Sequence, residues 1–103
     1  MSFPKTFEEF MGTLALENPP PSWPLELQSL WWDANANWKE SHKIAQELTN
    51  EIGNWIHAYL HRKEGDKFNA GYWYRQANKP YSSLTFKEEF EEMVIFVINY
   101  QNQ

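Results

Sequence analysis

Two imidazoles four residues apart and a carboxylate three further on, His57, His61 and Glu64, are the side chains of this chain best spaced to do chemistry. On a helix they lie along one flank, where they can present two nitrogens and an oxygen to a divalent transition metal. His42 or Asp33 can add a further ligand from another segment. The spacing lacks the internal glutamate that acts as general base in metalloprotease helices, so it names ligands without naming a reaction. The opposing reading is packing, since the same imidazoles can serve as satisfied side chains between helices. Arg75, which follows Tyr72-Trp73-Tyr74, either stacks on a ring within the fold or joins Arg62 in an anion site. Other machinery is missing: there is no cysteine, no GxSxG elbow and no phosphate-cradling glycine loop. The acidic pairs Glu8-Glu9, Glu88-Glu89 and Glu91-Glu92 fit first turns and helix surfaces, where solvated charge complements the helix dipole.

The elements that must position these groups are helical. Asn50 or Thr49 can cap a helix in which Ile52, Trp55, Ile56, Tyr59 and Leu60 form one apolar stripe. Arg62 and Lys63 meet the negative pole near its end, and Gly65 can take the left-handed conformation that stops it. Asp66 caps the return helix, on which Ala70, Tyr74 and Ala77 share a face, and Pro80 prevents continuation. An earlier hairpin follows the same plan. Pro24 sits in a first turn, Leu27, Leu30, Trp31 and Ala34 follow, and Asn37 with Glu40 opens the return arm through Ile44, Ala45 and Leu48. Ahead of both, Thr6 to Glu9 has capping-box spacing and predicts a short helix over 7–16. The prolines at 19, 20 and 21 make 17–23 a stiff linker. Thr85 with Glu88 opens a last helix over 85–100; its segment Val94–Ile98 alone also suits a buried strand, but the cap and acidic first turn favour helix.

The hairpins over 24–48 and 50–78 read as copies. With Asn37 laid on Asp66, Ser41 falls on Ala70, Ala45 on Tyr74 and Leu48 on Ala77. The segment KEGDKFNAGYWYRQA, Lys63–Ala77, resembles the centre of a tetratricopeptide repeat, with Gly65-Asp66, Ala70, Tyr74 and Ala77 at the expected offsets. It departs from that pattern in its repeat period, shorter than the roughly 34 residues usual there, in Asn54 where tryptophan is common, and in having only two hairpins. WIHAYLHRKEGD and NAGYWYRQA are also similar to a family of small bacterial proteins, a resemblance that carries no activity with it. The repeat resemblance implies a concave face bearing Ile52, Trp55, Tyr59 and Arg62, with Glu26, Leu30 and Asp33 from the earlier hairpin. Aromatics beside an arginine can hold a peptide, Arg62 pairing with its carboxylate. The alternative is that the last helix or another subunit covers this face. In the same register His57 and His61 face the partner helix, within reach of Tyr72 or Tyr74, whereas amphipathicity alone puts them beside or opposite the apolar stripe. Both placements stay open.

The 103 residues suffice for one domain with its own core, built here from six tryptophans and an aromatic content of 17% despite a mean hydropathy of −0.73. A formal charge of −5 without a basic run argues against nucleic acid and anionic lipid. Met93–Ile98, the longest apolar run, is too short to span a bilayer, and the first ten residues lack the apolar core of a signal peptide. The expectation is therefore an all-α cytoplasmic domain of five to six helices, two hairpins preceded by a short helix and closed by a longer one. Its leading function is a noncatalytic interaction module without a cofactor, binding a peptide or protein or pairing with itself. The candidate ligand-binding residues are Trp55, Tyr59, Arg62, His57, His61 and Arg75. The alternative is a small metal-dependent or histidine-using enzyme centred on His57, His61 and Glu64.

Overall fold

A computed structural model describes residues 3–101. They form six α-helices and no strand: α1 (Phe7–Met11), α2 (Leu25–Ala34), α3 (Trp38–Ala45), α4 (Glu51–Lys63), α5 (Lys67–Gln76) and α6 (Phe86–Gln101). The first helix is shorter than its sequence suggests. It tightens after Met11 into a 3-10 turn, Gly12–Ala15, because the chain must bend towards the proline linker.

Except at α2, the caps are side-chain oxygens of a short polar residue before the helix. Thr6, Asn37, Asn50 and Asp66 each accept from the amide three residues on. Thr85 and Glu88 form a reciprocal box, with Glu88 N–H donating to Thr85 at 3.1 Å and Thr85 N–H to Glu88 at 3.0 Å. Pro24 stands just before α2 as its N-cap.

The two hairpins repeat one turn. Asn37 N–H donates to the Trp32 carbonyl and Asp66 N–H to the His61 carbonyl, both at 2.9 Å. The residue between, Ala36 or Gly65, takes positive φ, 61° and 87° respectively. This is a Schellman-type stop, strain-free at Gly65 and mildly strained at Ala36. Small residues then meet where the arms cross. Ser29 Oγ donates to the Ser41 carbonyl at 2.8 Å inside the α2–α3 pair, and Ala58 and Ala70, the aligned positions, are fully buried in the α4–α5 pair. Side chains no larger than these let two helix backbones approach closely.

The closing helix lies across both hairpins, packing on α1, α2 and α4. Its stripe of Phe90, Met93, Val94, Val97 and Ile98 joins Leu27, Leu30, Ile52, Trp55 and Tyr59 in one core. The segment that also suited a strand is thus helical, with Val94, Val97 and Ile98 buried at three- and four-residue spacing and Ile95 and Phe96 exposed. Glu89, expected on a solvated surface, is instead 1% exposed. It accepts from Trp55 Nε1 at 3.0 Å, from Arg62 Nε at 3.2 Å and Nη2 at 3.0 Å, and from the Tyr74 hydroxyl at 2.7 Å. None of the described helices is long and apolar enough to cross a membrane.

Candidate metal centre

The hairpin geometry decides which polar groups meet. α3 and α4 lie side by side, and Trp38 Nε1 donates to the Leu60 carbonyl at 2.8 Å, fixing the height of one against the other. At that height His42 of α3 faces His57 and His61, which are one turn apart on α4. The Nε2 atoms of His42 and His57 are 3.0 Å apart, and one ring nitrogen from each of the three residues lies within 4.8 Å of the other two. His61 Nδ1 is engaged by Glu64 Oε1 at 2.6 Å, which leaves its Nε2 for the cluster. Two nitrogens bound to one tetrahedral zinc ion stand roughly 3.3 Å apart. His42 and His57 are close to that spacing, and a ring nitrogen of His61 lies within 4.8 Å of both.

Indole rings hold the cluster from both sides. Trp38 stacks on His42 with centroids 4.7 Å apart and an angle of 8°, and Trp73 of α5 stacks on His57 at 4.1 Å and 22°. His57 and His61 stack on each other at 4.9 Å. Burial pushes the pKa of His57 down to about 4, helped by the charges His42 and His61 would carry. His42 is lowered too, first by burial and then by His61, with Glu64 opposing. Both rings are therefore neutral at pH 7, as metal ligation requires. With both neutral, the short contact between their Nε2 atoms means that one donates and one accepts. For both Nε2 atoms to hold a metal ion, that proton would have to sit on the other ring nitrogen instead.

Lowered histidine pKa values link folding to pH. The unfolded chain takes up a proton at His57 as pH falls through 6.5, whereas the folded chain resists until about 4. Stability is thus constant above 6.5 and is lost as pH falls towards 4, by on the order of 3 kcal/mol from this residue. Urea unfolding of the metal-free protein between pH 7.5 and 5 is expected to show this decline, reduced in His57→Gln. A flat profile there contradicts the burial of a neutral His57.

The other candidate residues are engaged elsewhere. Trp55 and Tyr59 are buried beneath α6, Trp55 on Glu89 and Tyr59 donating to Asp33 at 2.9 Å. Arg62 is spent on Glu89 and on the Leu84 carbonyl at 2.8 Å, and lies 4.5 Å from the Phe86 ring centre. The face bearing these three is therefore covered by the chain's own last helix. Asp33 stays out of the histidine cluster because Lys63 Nζ pairs with it at 2.9 Å. Arg75 is exposed on α5 and, among the described residues, neither stacks on a ring nor meets Arg62. Burial, then Asp33, raises the pKa of the Tyr59 hydroxyl. Burial, then the bonds to Glu89, raises that of Tyr74. Both hydroxyls therefore stay protonated donors to buried carboxylates. The tyrosines at 72 and 74 do not hydrogen-bond the histidines; the indole of Trp73 takes that flank by stacking. Residue spacing carries no signal for the two indole clamps, since Trp38 and Trp73 reach the site only through the folding back of both hairpins. Comparison of the chain with protein-family models, with curated proteins and with solved structures found no match to any of them.

Proposed function

We propose that the protein binds one divalent transition-metal ion through His42, His57 and His61, with Glu64 orienting His61. The observation that carries this is the convergence of three imidazoles from two helices, two of them neutral and 3.0 Å apart, inside a cage of indoles. Glu64 on His61 Nδ1 is the arrangement by which carboxylates fix the tautomer and raise the basicity of a ligating histidine. An all-nitrogen set suits zinc, copper, nickel or iron and excludes magnesium and calcium, which take oxygen ligands. Three protein ligands with a fourth position open to water is the pattern of catalytic zinc sites, in which the bound water ionises near neutral pH. The reading is thus a small metal-dependent protein, in which a water held at a fourth position of the ion would be activated. Equilibrium dialysis against Zn²⁺ is expected to give one tightly bound ion per chain; no retention above a control with all three histidines replaced by glutamine contradicts it.

A second reading, a noncatalytic interaction module of tetratricopeptide-like hairpins, is favoured by the outer face of α5. Phe68 is 83% exposed and Tyr72, one turn on, is 43% exposed. Large apolar side chains grouped on a surface are costly unless a partner covers them. The repeated turn and the matched small residues of the two hairpins support the repeat resemblance.

A further inference from the structure

A cavity lies at the far end of α4 from the histidines, between the start of that helix, the segment after α5 and the end of α6. Its volume is about 370 Å³, at the lower end of the range for small-molecule sites. Ile52, Trp55, Phe96 and Tyr100 line it, with Lys79 and Glu51 as its charged groups. Trp55, only 3% exposed, lies at its floor and meets Phe96 edge to face at 5.7 Å and 76°, so the exposed rings of Phe96 and Tyr100 are its apolar walls.

Lys79 is the informative residue. Its ammonium sits 4.0 Å from the centre of the Trp55 ring and 5.9 Å from that of Phe96. Among the described residues, none of the carboxylate ion pairs includes it and no oxygen accepts from its Nζ. Contact with the indole face covers one side of the ammonium and leaves its N–H donors to the cavity. The other charge on the wall, Glu51, accepts from Asn78 Nδ2 at 2.7 Å. It disfavours a ligand with a second negative charge.

We infer that this cavity binds a small monoanionic carboxylate with a flat aromatic body, its ring against Phe96 and Tyr100 and its carboxylate on Lys79. The site is separate from the histidine cluster and stands or falls independently of it. A carboxylate bonded to an ammonium at a partly buried site contributes about tenfold in affinity. The cation also keeps its place over the indole when the anion binds. Neutral ligands of the same shape gain only the apolar contacts.

Phenylacetate is a suitable probe, and a ligand of its size is expected to bind in the millimolar range. Two-dimensional NMR titration of the full chain should give saturable shifts centred on Phe96, Tyr100 and Lys79. The apparent Kd should rise about tenfold for phenylacetamide and for Lys79→Met, and stay within about threefold for Lys79→Arg. Absence of saturable shifts overturns the inference. So does equal binding of phenylacetamide, equal binding by a folded Lys79→Met, or a response centred on the histidines.

Discussion

Replacing His57 with alanine is expected to lower the affinity for Zn²⁺ by roughly a hundredfold or more, the largest effect of any single change at the site. His57 is the ring held most firmly, with His42 at 3.0 Å, His61 stacked beside it and the Trp73 indole across its face. Its loss leaves two ligands on different helices with nothing between them. The affinity loss must be separated from the loss of packing against Trp73, so folding is followed by circular dichroism alongside metal binding. Glu64→Gln provides the contrast. It leaves all three nitrogens in place and loosens only His61, so a smaller fall of roughly tenfold to a hundredfold is expected. If His57→Ala folds and binds zinc as well as the parent, the histidines are packing groups.

Glu89→Ala is expected to destabilise the protein by about 3–5 kcal/mol, measured by urea unfolding. The carboxylate is the acceptor for Trp55, Arg62 and Tyr74, on two hairpin arms and beneath α6. Removing it leaves the Arg62 guanidinium half-sealed beneath α6 without its anion and two buried donors without an acceptor. That loss is a large share of the stability a small domain has. Glu89→Gln keeps one acceptor oxygen but turns an amide N–H₂ towards the donors, so an intermediate loss is expected. A cost below about 1 kcal/mol for the alanine variant contradicts the view that Glu89 ties α6 to the α4–α5 hairpin.

Much of the helical architecture is legible in the chain because it rests on local rules. Caps at Asn37, Asn50, Asp66 and Thr85 lie three residues before the amides they satisfy, and a stop at Gly65 needs no partner outside its own turn. The histidine flank of α4 is legible for the same reason, since His57 and His61 lie one turn apart on one helix and Glu64 caps its end. What sequence leaves open is whatever depends on how the arms cross. His42 and Asp33 stand as equal candidates for a further ligand, and only the crossing of α3 on α4 brings His42 in and leaves Asp33 to Lys63. Glu89 looks like a first-turn surface charge because its burial is created by three side chains from other elements. The covered face is hidden likewise: Trp55, Tyr59 and Arg62 offer the same chemistry to a peptide as they do to α6.

The central claim, a three-nitrogen metal site built where α3 meets α4, is tested most directly by titrating the metal-free protein with Co²⁺ and recording the visible spectrum. Four-coordinate cobalt absorbs far more strongly than the hexahydrated ion. The account predicts an intense visible band that saturates at one equivalent and is absent in His57→Ala. A titration that yields only the weak spectrum of the hydrated ion, with parent and variant alike, would contradict it.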